Sequence, residues 1–292
     1  MSNHVDPITV TPRLLATLPI PAADGTKKAR GDVVVVGGSR RSPGAVQLAG
    51  VSALRVGAGR LTLVLGESVS TAVGAAVPEA GVVPVAETAS GHVRGAGIAT
   101  AADDLGGADA VLVGPGLDDI REARAMLRRL TSLLDSSPVV IDAYGLGALA
   151  GIRKRPRTEA VLTPNVHEAE ILLGRTIDDL DTDCVEIARR YRGVVSCFGT
   201  IATPDRRIFR VVEGGPGLGT SGSGDVLAGA ITGLLARGCD TTTAAVWGTY
   251  LHAQAGAALA DRVGSVGFLA RQISAELPAV LARATASVSD RG

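Results

Sequence analysis

The residues with the most evident chemistry are Gly219-Thr220-Ser221-Gly222-Ser223-Gly224-Asp225, a glycine-rich loop running straight into a helical pattern over 222–237. Unpaired N–H groups and the helix dipole at such a junction form an anion site, for which phosphate oxygens are natural guests. A carboxylate beside a phosphate cradle can take the proton of an attacking hydroxyl, which makes Asp225 a candidate general base. The same residues also read as an ordinary helix cap, but the loop is longer and richer in glycine than a cap requires. It is not a Walker A loop, because no Lys follows the glycines. Nor does Gly37-Gly38-Ser39 fit the G-x-G-x-x-G dinucleotide fingerprint.

Four more unusual loops, at 37–44, 114–117, 142–147 and 163–168, each follow an apolar run. Strands are expected at 32–36, 60–65, 82–85, 109–113, 138–141, 160–162, 193–197 and 207–212. Helical patterns fall at 43–56, 67–75, 119–134, 167–173, 178–190, 222–237, 241–261 and 268–284. The run Asp32–Val36 (DVVVV) has no polar alternation, as expected of a strand buried on both faces. Alternating strands and helices specify an α/β fold with a mostly parallel sheet covered on both sides. In such sheets ligands bind beyond the carboxyl ends of the strands, where all five loops, including 214–225, are expected. Residues 1–30 read as an N-terminal arm and 31–292 as a single domain, with a split near residue 160 as the alternative.

Several segments, in order, resemble one family. They are GDVVVVGGSRRSPGAVQLAGVSALRVGAGRLTL (31–63), VPEA (77–80), VGPGL (113–117), VVIDAYGL (139–146), LTPNVHEAEILLG (162–174), GTSGSGDVLAGAITGLLARG (219–238) and AVWGTYLHAQAGAALA (245–260). Together the chain resembles the ADP- or ATP-dependent NAD(P)H-hydrate dehydratases of the ribokinase-like superfamily, over roughly residues 10–285. The resemblance implies a three-layer sandwich with helices on both faces of the sheet. It implies a cofactor-repair reaction: hydrated NAD(P)H (NAD(P)HX) is phosphorylated on its ring hydroxyl by ADP or ATP, and phosphate then leaves. Asp225 would be the base and would also touch substrate, with Ala45, Gly116 and Asn165 as further substrate contacts. Gly199, Thr200, Gly222, Ser223 and Gly224 would hold the nucleotide and its phosphates. Mg2+ would bridge phosphates, with Glu168 as an indirect carboxylate contact; Glu168 also reads as a first-turn helix acid. A cytoplasmic homo-oligomer is expected. Asn165-Val166-His167-Glu168 stands where the family usually has His-Pro-Gly-Glu, and Cys197-Phe198-Gly199 where it usually has Leu-Lys-Gly. The Asn is reminiscent of vitamin kinases in the same superfamily, which makes a small-molecule kinase the alternative function; a nucleotide-binding relative without turnover is a third reading.

Composition narrows the field. Lys plus Arg and Asp plus Glu both number 29, so the basic excess of a nucleic-acid binder is missing. Aromatics are 2% of residues, too few for a base-stacking surface and few enough that Ala, Val, Leu and Ile must build the core. No run reaches the roughly 18 apolar residues of a membrane span. The three cysteines have no CxxC spacing, which suggests a reducing compartment and no structural zinc. Among single residues, Asp142 reads either as a ligand contact or as a cap. Arg40 and Arg41 read as phosphate-steering or solvated, 153–157 as a solvated basic loop, His92 as a surface residue and His252 as a packed one.

Overall fold

The computed structural model describes residues 6–22, 25–134, 136–152, 158–212 and 214–289; the basic cluster at 153–157 lies outside them. One ten-stranded sheet organises the chain, in the order β1-β10-β9-β8-β7-β6-β5-β2-β3-β4. Its parallel centre comprises β2 (Asp32–Val36), β3 (Arg60–Gly66), β4 (Ala80–Val85), β5 (Ala110–Val113), β6 (Val139–Ile141), β7 (Ala160–Leu162) and β8 (Val194–Cys197). Beyond β8, β9 (Thr200–Ala202) and β10 (Ile208–Arg210) form antiparallel pairs, and β1 (Ile8–Thr9) joins β10 in parallel at the edge.

The β-branched run of β2 explains the layering. Val33 and Val35 enter one apolar cluster, while Val34 and Val36 enter the other. Successive side chains of a strand point to opposite faces, so one short strand contributes to both cores. On the first face lie α1 (Pro12–Ala16), α2 (Gly44–Arg55), α9 (Ser223–Ala236), α10 (Thr241–Val263) and α11 (Ala270–Ser289). On the second lie α5 (Ile120–Leu133), α6 (Tyr144–Ala150), α7 (Val166–Leu173) and α8 (Leu180–Tyr191). Two further helices, α3 (Glu67–Ala76) and α4 (Ala102–Gly106), complete the set among the described residues. The arm is tied down: Trp247 Nε1 donates to the Leu18 carbonyl at 2.7 Å and Arg237 to the Pro21 carbonyl at 2.6 Å.

The expected strands and long helices appear with small shifts at their ends. Four features differ from the sequence reading. The two-residue β1 has no local signal; it exists because the edge of β10 offers partners. The residues after Gly199, read as loop, form β9, because Phe198 (φ 48°) and Gly199 (φ 82°) close a two-residue hairpin between Cys197 and Thr200. Such turns need positive φ at both central residues, and Phe does not advertise that. The 142–147 loop is mostly α6, whose Gly145 and Gly147 argue against a helix by propensity; burial of Leu146, Ala148 and Leu149 outweighs them. A 3-10 turn over Gly95–Ala101 precedes α4 in a stretch where no element was expected.

Candidate functional site

Two helices are locked together at backbone distance. A Cβ added to Gly229 of α9 would lie 2.0 Å from the Ala49 carbonyl oxygen of α2, and one on Gly233 would lie 2.4 Å from the Ala53 carbonyl oxygen. Both pairs share one parallel register, which one turn earlier sets Ala45 level with Asp225. The first turns of α2 and α9 therefore lie side by side. Neither start carries a side-chain cap: α2 begins after Pro43, and α9 after Gly222, which is left-handed at φ 87°. The first N–H groups of a helix have no partner within it. Ser223 N–H finds the Thr220 carbonyl at 3.2 Å and Val226 N–H the Gly222 carbonyl at 3.2 Å. Between them lie the N–H groups of Gly224, which is exposed, and Asp225, with no side chain capping this helix start. Two adjacent, uncapped helix starts form a strong attractor for a polyanion.

The strand-end loops converge on the same place. Gly38 N–H donates to the Pro115 carbonyl and Ser39 N–H to the Gly116 carbonyl, both at 2.9 Å, stitching the loop after β2 to the loop after β5. Gly116, at φ 70°, has room for no side chain: a Cβ would stand 2.3 Å from the Ser42 carbonyl oxygen and 3.2 Å from Ala45 Cβ. Ala45 and Gly116, expected as joint substrate contacts, are thus neighbours, and Asp225 is level with them.

Three carboxyl groups of this region, Asp142, Asp225 and Glu168, feel one another's charge. Asp142, at the end of β6, is 5% exposed. Burial, and then the charges of Asp225 and Glu168, push it up to about 7, while the Thr163 hydroxyl, donating at 2.9 Å, and the Ala143 N–H work against the rise. Ala143 adopts φ 49°, a conformation a non-glycine residue rarely takes, as the chain turns from Asp142 into α6. Asp225 is pushed up to about 6, by burial first and Glu168 second. Its place in the first turn of α9 favours the charged form, so burial and the neighbouring acid prevail. Glu168 is also raised by burial. Its carboxylate accepts the Asn165 N–H and Asn165 Oδ1 accepts the Glu168 N–H, each at 2.9 Å. The pair is a reciprocal cap on α7.

The remaining expected residues divide. Gly199 accepts from Val211 N–H at 2.9 Å, so the hairpin tip abuts the start of the loop leading to α9. Thr200 is fully buried, and its hydroxyl is spent on Asp181 at 3.1 Å, beside the Asp181–Arg210 ion pair. Phe198, at the tip, is 86% exposed. Arg40 is paired with Glu87 at 2.9 Å, and His92 is a half-buried partner of Asp118 at 2.8 Å rather than a lone surface residue. Sequence reasoning missed one contact at the site itself: His252 Nε2 lies 2.8 Å from Ser223 Oγ. No spacing along the chain could reveal it, because packing of α10 on α9 creates it.

Comparison with known proteins follows the same lines. A profile of the NAD(P)H-hydrate dehydratase family matches residues 33–279. The chain is 43% identical over 284 residues to the ADP-dependent (S)-NAD(P)H-hydrate dehydratase of Xanthomonas campestris pv. campestris, covering 94% of this chain and 96% of that one. It is 33% identical to the bifunctional NAD(P)H-hydrate repair enzyme of Moorella thermoacetica over 90% of this chain, but spans only 52% of that longer protein. The crystal structure of ADP/ATP-dependent NAD(P)H-hydrate dehydratase from Bacillus subtilis, co-crystallised with ATP/Mg2+, superposes with a TM-score of 0.81 at 25% identity, covering 96% of this chain and all of that one. Phosphofructokinase-2 of Escherichia coli, in its tetrameric inhibited form, shares the fold more distantly, at TM-score 0.56, 14% identity and coverage of 87% of this chain and all of that one. With a matching profile over most of its length and a near-full-length relative at this identity, the chain belongs to the NAD(P)H-hydrate dehydratase family and has the ribokinase-like fold.

Proposed function

We propose that this protein is an ADP-dependent (or ATP-dependent) NAD(P)H-hydrate dehydratase, a lyase that restores hydrated NAD(P)H to NAD(P)H. The observation that carries the reading is Asp225 in the first turn of an uncapped helix, level with Ala45 on the parallel helix beside it. Hydrated NAD(P)H carries a hydroxyl on its nicotinamide ring. Asp225 takes the proton of that hydroxyl as its oxygen attacks the terminal phosphoryl group of ADP. The oxygen–phosphorus bond forms, the bond to the bridging oxygen breaks, and AMP leaves. Phosphate then departs with the carbon–oxygen bonding pair, a proton leaves the adjacent ring carbon, and the ring double bond returns. The N–H groups of Gly224 and Asp225 receive the charge that builds on the phosphoryl oxygens. Gly222 and Ser223 shape that turn, Gly199 borders the nucleotide, and Ala45, Gly116 and Asn165 border the hydrate. The buried hydroxyl of Thr200 leaves that residue a supporting place behind the hairpin.

Magnesium belongs to the same reading. The described residues contain no cluster of three metal-ligating side chains. They do bring acidic groups together, since Asp142 and Asp225 are raised by burial first and by acidic neighbours second. That arrangement suits an ion held mainly by nucleotide phosphates and water, with Glu168 as an indirect contact. When bound, it neutralises phosphate charge. We take residues 31–292 as one catalytic domain with 1–30 as its arm, and the enzyme as a cytoplasmic homo-oligomer. The exposed Val263, Val266 and Leu269 at the turn between α10 and α11 are available for association.

The kinase alternative rested on Asn165 and Glu168, whose reciprocal hydrogen bonds form a helix cap and do not by themselves select a kinase substrate. The decisive experiment incubates the protein with hydrated NADH, ADP and magnesium. Recovery of the near-ultraviolet absorbance of the reduced nicotinamide, with release of inorganic phosphate, is expected. A stable phosphorylated product instead would make it a kinase, and ligand-induced stabilisation without chemistry would make it a binding protein.

A further inference from the structure

The glycine-rich turn that starts α9 has few side chains to hold it. A Cβ at Gly219 or at Gly224 would meet no atom within 4 Å, and glycine backbone is costly to order. Beside the apolar contact of Leu48 with Gly222, one polar side chain among the described residues hydrogen-bonds to the turn from outside. His252 lies in the middle of α10, and Ser223 is the first residue of α9; the ring Nε2 and the serine hydroxyl are 2.8 Å apart. Both residues are buried, Ser223 at 5% and His252 at 9% exposure. The approach depends on small residues in α10: at Gly248, one turn before His252, a Cβ would come within 2.5 Å of Ile231 Cγ1 on α9. Burial lowers the histidine to about 4, opposed by a hydrogen bond to the Ser223 main chain. The ring is therefore neutral near pH 7, and the contact is a hydrogen bond between two uncharged groups.

We infer that His252 is a positioning residue for the phosphate turn: by holding the Ser223 hydroxyl it fixes the first turn of α9 in the conformation that receives the nucleotide's terminal phosphoryl group. The inference rests on the dehydratase reading above. It assigns a functional task to a histidine that composition and periodicity mark only as a packed residue of an Ala-rich helix. The contact ties α10 to the first turn of α9, which carries both the N–H groups that meet the nucleotide and Asp225, which meets the ring hydroxyl, so its loss bears on the transfer step.

The test is steady-state kinetics at 25 °C on the wild type and on His252→Ala, His252→Gln, Ser223→Ala and the His252→Ala/Ser223→Ala double variant, with thermal midpoints measured in parallel. Wild-type turnover of hydrated NADH with ADP is the control; its failure would overturn the function itself, separately from this inference. His252→Ala and Ser223→Ala are each expected to lower kcat/KM for ADP about tenfold, the equivalent of one hydrogen bond. The double variant should be no worse than the worse single one, because both changes remove the same contact. Gln at 252, which can again meet the hydroxyl, should recover most of the loss. Losses that multiply in the double variant, or a lowered midpoint with wild-type ADP kinetics, would show that the histidine only fills space. If His252→Ala does not fold, Ser223→Ala decides alone, and wild-type ADP kinetics in that variant would overturn the inference.

Discussion

Helices α7 and α9 both start near the carboxyl edge of the sheet, and both carry an acid in the first turn. They use it in opposite ways. At α7, Asn165 and Glu168 exchange hydrogen bonds at 2.9 Å, so the helix start satisfies itself. At α9, the capping position is a left-handed glycine without a side chain, and no side chain caps the N–H groups behind it. A capped start stabilises the fold by about 1 kcal/mol. An open start forgoes that stabilisation and leaves its N–H groups for the phosphate proposed above. The acids differ accordingly: Glu168 is engaged by the main chain, while Asp225 is raised to about 6 by burial and by Glu168 with no hydrogen bond opposing the rise. A carboxylate poised near neutrality is suited to exchanging a proton.

The largest effect is expected from removing the acid at the open start. Asp225→Asn should lower turnover of the hydrate about 100-fold or more, while ADP still raises the thermal midpoint, because the N–H groups remain. Unchanged turnover in that variant would erase the distinction between the two acids. Next in size is the backbone contact that aligns α9 with α2. Alanine in place of a helical glycine ordinarily gains up to about 1 kcal/mol. At Gly229 the new methyl would sit 2.0 Å from a carbonyl oxygen, so steric cost prevails and Gly229→Ala should lose about 3 kcal/mol. Its KM for the hydrate should also rise as Ala45 and Asp225 move out of register. A variant as stable and as active as the wild type would show that the register is not what sets the site.

Proton linkage sharpens the contrast. Asp142 and Asp225 are raised from 3.8 to about 7 and about 6, so the folded state keeps these protons to higher pH than the unfolded chain. Their contribution to stability is therefore most favourable below about pH 4 and declines as pH rises towards 7. Asp142→Asn should raise the thermal midpoint at pH 8 and leave it little changed at pH 4; the reverse order would show that the acid is held charged. Activity should follow the opposite slope, falling as pH drops below about 6 and the Asp225 base is protonated. The smallest effect is expected at the closed start: Asn165→Ala should cost about 1 kcal/mol of stability by denaturant titration, and a loss several times larger would mean that Asn165 does more than cap.

Much of this molecule was legible in its residues. The run Asp32–Val36 announced a strand buried on both faces, and the glycine loop before Asp225 announced an open helix start, because β-branched and glycine residues restrict or release the backbone locally. Other features had no local voice. The β9 hairpin depends on Phe198 taking a left-handed turn, α6 forms against its glycine content, and β1 pairs only because an edge is available. The loop at 163–168 was legible as ending in a helix start, but the reciprocal hydrogen bonds between Asn165 and Glu168 appear only in the fold.

The order of strands and helices, the parallel sheet and the identity of the base candidate follow from sequence, since periodicity and backbone preference act over a few neighbouring residues. Which helix starts stand together, that Asp142 and Glu168 press on Asp225, and that His252 reaches Ser223 were decided by tertiary packing. Those relations span up to 180 residues of chain, from Ala49 to Gly229, and depend on interhelix distances that no local preference encodes.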